Sequence, residues 1–129
     1  MKVLALDFGR ARTGVAVSDP SGTIARPLEI VERAGSEAGL ARLAELVREE
    51  EAERVVVGLP LTLRGERGEQ ARETEAFVEQ LRAVVSVPVE SYDERFTTRL
   101  AQTVPGPDDA RAAAHLLSSY LEWSSAAKE

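Results

Sequence analysis

Val3-Leu4-Ala5-Leu6-Asp7-Phe8 and Thr13-Gly14-Val15-Ala16-Val17-Ser18 are two β-rich segments separated only by Gly9-Arg10-Ala11-Arg12, and their reading decides the fold. A third such segment, Thr23 to Val31, follows the turn signal Asp19-Pro20-Ser21-Gly22. Connections this short leave no room for a crossover, so the three strands form an antiparallel meander. Beyond them the periodicity changes. From Ser36 to about Glu51, Leu40, Leu43, Ala44 and Val47 recur at helical spacing, with Ser36 as N-cap. Arg54-Val55-Val56-Val57-Gly58 is a continuous β-branched run, the mark of a strand buried on both faces and, after a helical crossover, parallel to the first strand. A loop rich in Gly and Arg, Pro60 to Gly68, leads into a second helix from Glu69 to Val84, periodic through Ala76, Phe77 and Leu81. Val87 to Tyr92 reads as a fifth strand, followed by a short helix from Thr97 and a last helix from Pro107 to about Trp123.

The order βββαβαβ(α)α places a meander beside two right-handed crossovers. The expectation is an α/β chain with a five-stranded mixed sheet, order 3-2-1-4-5, and helices on both faces, which is the ribonuclease H-like fold. A flavodoxin-like sheet would need a helix between the first two strands. No repeat, low-complexity tract or linker interrupts the pattern, so residues 1–129 read as a single domain.

Composition bounds the function. A formal charge of −6 and a pI near 4.9 argue against a protein that grips nucleic acid through overall charge. Without cysteine there is no disulfide framework, thiolate metal site or thiol nucleophile. No apolar run reaches the ~18–20 residues of a membrane span, and Asp7 comes too early for a signal peptide. A cytoplasmic protein with no membrane partner is expected.

In such a sheet the first, fourth and fifth strands run parallel and their C-terminal ends open on one edge, where open α/β sheets carry their sites. Asp7 ends the first strand, Asp93 and Glu94 end the fifth, and Asp108 and Asp109 begin the last helix. Converging carboxylates suit Mg²⁺ or Mn²⁺, and a pair of such ions about 3.5–4 Å apart can clamp a phosphodiester for attack by water. Two unpaired carboxylates about 4 Å apart repel by roughly 4 kcal/mol at an effective dielectric of 20, so cations should also stabilise the fold there. Each acid also has a plain structural use: Asp7 at a strand end before Gly9, Asp108 and Asp109 at a helix start after Gly106-Pro107. Helical projection separates the last two. Ala112, Ala113, Leu116, Tyr120 and Trp123 lie within about 60° of Asp109, with Asp108 about 100° away, so Asp109 heads the expected buried stripe and Asp108 is the cap or surface acid.

Arginines form a second pattern. Seven of 14 (Arg10, Arg12, Arg64, Arg67, Arg95, Arg99, Arg111) fall in or beside the connections at this edge, which hold roughly a quarter of the chain. Their planar forks suit phosphate, and the Gly-rich loop from Gly58 to Gly68 can follow a backbone. Against this stands the general polarity of loops in a chain with only two lysines. Glu45, Glu49, Glu50, Glu51 and Glu53 crowd the end of the first helix and read as a solvated face. His115, about 120° off the Asp109 stripe, reads as a surface or packing residue, and Tyr120 and Trp123 as core packing.

Four ordered motifs carry a family resemblance over almost the whole chain. They are Asp7-Phe8-Gly9-Arg10-Ala11-Arg12-Thr13-Gly14-Val15-Ala16-Val17-Ser18-Asp19, Val57-Gly58-Leu59-Pro60-Leu61, Asp93-Glu94-Arg95-Phe96-Thr97-Thr98, and Asp109 leading into Ala112-Ala113 and Leu117-Ser118-Ser119-Tyr120-Leu121. Together they resemble the YqgF/RuvX family. The resemblance implies a nuclease related to the RuvC Holliday-junction resolvases, acting in maturation of the 5′ end of pre-16S rRNA. It implies catalytic acids at Asp7, Glu94 and Asp109, with Asp93 as a neighbour. Ala11 stands where relatives usually carry a basic residue, Arg64 near where many have an acid or Asn, and Arg99 to Asp108 is shorter than usual and lacks a Lys-rich stretch.

The leading expectation is a metal-dependent nuclease in which Asp7, Glu94 and Asp109, with Asp93 beside them, hold two Mg²⁺ or Mn²⁺ ions and a metal-bound water attacks phosphorus. Arg10, Arg12, Arg64, Arg67, Arg95 and Thr97 would contact the substrate, which is RNA, single-stranded or branched DNA, or RNA on a pre-ribosomal particle. Alternatives are a resolvase-like DNA nuclease acting as a dimer, and a non-catalytic nucleic-acid-binding protein. The expected state is a monomer or weak homodimer. An ATP-binding module of the actin and sugar-kinase type shares the first motif but uses two such domains. Asp7-Phe8-Gly9 is not the protein-kinase signature, since no Gly-rich loop or strand lysine precedes it.

Overall fold

A computed structural model describes residues 1–60, 68–93 and 108–127, with side chains from 110 to 124 in the last segment. Its elements are β1 (Val3–Asp7), β2 (Arg12–Ser18), β3 (Ala25–Glu32), α1 (Glu37–Glu49), β4 (Arg54–Leu59), α2 (Glu69–Arg82), β5 (Val89–Asp93) and α3 (Asp108–Ala127). One sheet runs β3-β2-β1-β4-β5, with β1–β2 and β2–β3 antiparallel and β1–β4 and β4–β5 parallel. The expected mixed sheet and strand order are therefore present. The short helix expected from Thr97 lies outside the described residues. Among the described residues no helix is long and apolar enough to cross a membrane.

Strand boundaries follow local chemistry. β3 begins at Ala25 rather than Thr23 because Asp19 holds the chain up to that point. Its Oδ1 accepts from the amides of Thr23 (2.8 Å) and Ile24 (2.9 Å), and its Oδ2 from the Ser21 hydroxyl. β5 begins at Val89 because Pro88 has no N–H; its carbonyl accepts from Val55 at 2.9 Å before the ladder proper starts. α1 starts as expected, with Ser36 Oγ accepting from the Gly39 amide at 3.1 Å.

The Asp19 turn has a pH signature. The Ile24 amide first, then the Ser21 hydroxyl and Thr23 amide, hold its carboxyl well below the usual carboxylate range. A depressed value means the stabilisation is complete above the unfolded value of about 3.9 and is lost as pH falls toward the folded one. Asp19→Asn is therefore expected to melt lower than wild type at neutral pH, with the gap narrowing below about pH 4. A melting-temperature gap independent of pH would show that the carboxylate charge is irrelevant to the turn.

The sheet separates two cores. Leu4, Leu6, Val15, Val17, Val55 and Val57 meet Leu43, Leu46 and Val47 of α1 and Phe77, Val78 and Leu81 of α2. Val3, Ala5, Ala16, Val56 and Tyr92 meet Ala113, Leu116, Leu117 and Tyr120 of α3. Val55, Val56 and Val57 are each fully buried and alternate between the two cores, which is why that run is apolar without a break. Alanines on both surfaces of the second core let α3 lie close to the sheet.

Some helix faces differ from the expectation. On α2 the buried stripe is Ala71, Thr74, Phe77, Val78 and Leu81, while Ala76 is exposed. The acids ending α1 are not merely solvated: Arg42 bonds Glu29, Glu45 and Glu49, and Lys2 bonds Glu50 at 3.1 Å, stitching the helix to β3 and the start of β1. On α3 the buried positions centre on Ala110, Ala113, Leu117 and Tyr120, about 60° round from position 109, so that position flanks the stripe rather than heading it. His115 is buried by packing. Trp123 is 55% exposed, short of the core role expected, because it packs on Tyr92 and Tyr120 at the rim of the second core, over the edge strand β5.

Candidate active site at the C-terminal edge of the parallel strands

Alternation along β1 sends Val3 and Ala5 to the α3 face and Leu4 and Leu6 to the other, so Asp7 falls on the α3 face. Phe8 confirms the alternation, packing against the opposite core with its ring stacked on Phe77 (centroids 4.4 Å, 18° between planes). Two neighbours of Asp7 lack side chains. Across β2 it pairs with Gly14, and one step beyond the Leu6–Val57 pair it lies beside Gly58 of β4. Asp7 thus closes the central strand, its backbone paired with Gly14 and standing one step past the last β1–β4 pair.

The turn after it is tight. A Cβ on Gly9 would stand 2.5 Å from the Arg12 carbonyl oxygen, so only glycine fits. The Gly9 amide donates to the buried Thr13 hydroxyl at 3.3 Å, tying the turn to β2. Arg12 opens β2 in an exposed position on the same edge.

α3 brings the far end of the chain back to this edge. The Tyr120 hydroxyl accepts from Arg54 Nη1 at 2.8 Å and donates to Glu90, so that part of the helix lies over the starts of β4 and β5. Burial and the Glu90 bond together push the Tyr120 hydroxyl up from its ordinary value, partly offset by Arg54. Position 109 is about three turns earlier, roughly 16 Å along the axis. α3 thus runs from position 109 toward the starts of β4 and β5, where Tyr120 is anchored. On β5, Tyr92 faces α3 with its hydroxyl 2.9 Å from Ser119 Oγ, and alternation places Asp93 on the opposite face from Asp7.

Of the expected site residues, Asp7, Asp93, Arg10 and Arg12 are described in full, and Asp109 by its helix position. Glu94, Arg64, Arg67, Arg95 and Thr97 lie outside the described residues. Among the described residues no three His, Cys, Asp or Glu side chains form a metal cluster. The donor chemistry nevertheless suits a hard divalent ion: a carboxylate at the end of a rigid strand.

Gly14 and Gly58 escaped sequence reasoning as site residues, since only the strand register sets them beside Asp7. Arg10 has partners that the sequence did not reveal. It lies across a cleft of about 440 Å³ lined by Phe8, Gly9, Arg10, Glu69, Gln70 and Glu73, bonded to Glu69 and Glu73 of α2.

This topology, with an aspartate on the central strand and the last helix returning beside it, defines a protein of the ribonuclease H-like class. The fold is shared at low identity by Thermus thermophilus RuvC in complex with a Holliday junction substrate, with TM-score 0.71 and 18% identity over 98% of this chain and 96% of that one. It is shared also by the fowlpox virus Holliday junction resolvase, with TM-score 0.56 and 12% identity over 95% and 99%. A family model described as RuvX: Holliday junction resolvase matches residues 1–123, and the chain belongs to that family. A relative from Chloroflexus aggregans named "Putative pre-16S rRNA nuclease" is 48% identical over 131 residues, 93% of this chain and 92% of its own. One of the same name from Rubrobacter xylanophilus is 46% identical over 134 residues, 94% and 92%.

Proposed function

We propose that this protein is a divalent-metal-dependent nuclease that hydrolyses phosphodiester bonds in processing the 5′ end of pre-16S rRNA. The observation that carries the reading is Asp7, set on the α3 face at the end of the central strand between Gly14 of β2 and Gly58 of β4. The relatives named above support the RNA substrate.

Asp7, Glu94 and Asp109 would hold Mg²⁺ or Mn²⁺, two ions in the leading form of the reading. Asp93, the last residue of β5 and the sequence neighbour of Glu94, is a further candidate ligand. When bound, the ions supply neutralisation of phosphate charge and activation of water. The chain supplies position. Asp7 closes a strand held by ladders on both sides, so its carboxylate needs little ordering when substrate arrives. Arg12, with Arg64, Arg67, Arg95 and Thr97, would neutralise and orient the backbone.

The family's description favours a second reading, a nuclease for branched DNA. Cleavage of precursor ribosomal RNA, single-stranded DNA and a Holliday junction, side by side with Mg²⁺ or Mn²⁺, decides between them. Preferential cutting of the RNA is expected. Cutting confined to the junction would transfer the protein to the second reading, and no metal-dependent cutting of any substrate would leave a binding protein.

A further inference from the structure

Arg10 was expected to serve the substrate backbone, yet its guanidinium is turned toward α2. Nε donates to Glu73 Oε2 at 2.8 Å, and Nη2 is shared between Glu73 Oε1 and Glu69 Oε1, the latter at 3.4 Å. Three of its five N–H groups are thus directed at carboxylates, leaving those on Nη1. Glu69 and Glu73 are four residues apart on one side of the helix, so they grip the arginine from a single wall of the cleft. The cleft is lined by Phe8 and Gly9, the two residues that follow Asp7.

Charge counting gives the consequence. One guanidinium against two carboxylates leaves the mouth of the cleft at net −1. The pair is firmly ionised, the Arg10 hydrogen bond holding the Glu73 carboxyl below its usual range. With Glu69 and Glu73 on it, Arg10 therefore offers a passing backbone phosphate no net attraction, and that task falls to Arg12 at the end of the same turn. Nor does the fold need the contact, since the Arg10 and Glu69 side chains are 73% and 84% exposed and ion pairs in water add little stability.

We propose that Glu73 and Glu69 are specificity-determining residues: they hold the charge of Arg10 away from the nucleic-acid backbone, so that RNA is not retained at the catalytic edge through this arginine alone. This rests on the nuclease reading above and adds to it a restraint on indiscriminate binding. Retention is left to contacts that a cognate substrate makes elsewhere along the edge.

The test is fluorescence anisotropy of a fluorescein-labelled single-stranded RNA across a salt series, with Ca²⁺ in place of Mg²⁺. Glu73→Gln is expected to bind on the order of three-fold tighter at low salt, the effect of releasing the Arg10 guanidinium toward a phosphate roughly 6 Å away in water, and the Glu69→Gln/Glu73→Gln pair tighter still. The freed Arg10 should steepen the slope of log affinity against log salt by about 0.7, one added phosphate contact on a single strand. Arg10→Gln added to Glu73→Gln should abolish both gains. Unchanged or weaker binding by Glu73→Gln overturns the proposal, as does a gain that survives removal of Arg10. Wild-type protein that binds no RNA at any salt overturns the nuclease reading and this inference with it, whereas RNA binding with Glu73→Gln unchanged overturns the inference alone.

Discussion

Asp7→Asn abolishes metal-dependent cleavage, with a loss on the order of 10³-fold or more, while the protein remains folded. The size follows from groups that act as a unit, where removing one member forfeits most of what the set provides. The substitution keeps volume and leaves both ladders of β1 intact, so neither the β1–β2 pairing nor the packing of Leu6 and Phe8 changes. With its packing unchanged, the variant should melt close to wild type without metal. It should lose much of the stabilisation that Mg²⁺ or Mn²⁺ confers on wild type in a thermal-shift titration. Cleavage at the wild-type rate by purified Asp7→Asn would remove this residue from the site. Loss of activity with a collapsed melting transition would instead make it a structural residue.

Phe77→Ala gives the largest expected loss of stability. Its ring is 1% exposed, fills the core between α2 and the sheet, and stacks on Phe8. Truncation costs about 3–5 kcal/mol, from lost transfer energy and the cavity left behind. For a chain of this size that lowers the melting temperature by roughly 10–20 °C. Phe8 adjoins Asp7, so below its lowered melting temperature the variant should also cleave more slowly, through loosening of the turn. Phe77→Leu should recover most of both losses. A melting temperature within a few degrees of wild type for the alanine variant would show that α2 does not rest on this ring.

The parts of the molecule legible in the sequence are those whose cause is local. Three consecutive valines announce β4, Ser36 announces α1, and four residues between two β-rich segments force the β1–β2 hairpin. Asp7 was found because a strand end and a turn glycine adjoin it. The misreadings share the opposite property. Trp123 was assigned to the core by a projection that does not show where the sheet ends. Ala76 fits helical spacing but lies on the side of α2 away from the sheet. Arg10 was read from its neighbours in sequence, whereas its partners Glu69 and Glu73 belong to another element and meet it only when α2 is docked. For the same reason the charge of −6 was informative as a sum and silent about which acids neutralise which arginines.

The separation of the two cores sets an order of events in synthesis. Among the described residues, every member of the α1–α2 core lies at or before Val89, so that half can be assembled once β5 has emerged. The other half, and the face on which Asp7 lies, stays uncovered until α3 arrives from the far end of the chain. The most distant partners in the sequence are thus the ones that finish the site, and chain order delays their meeting. Nuclease competence is a late acquisition: a nascent chain can hold its scaffold before it can cut the RNA of the ribosome that is making it.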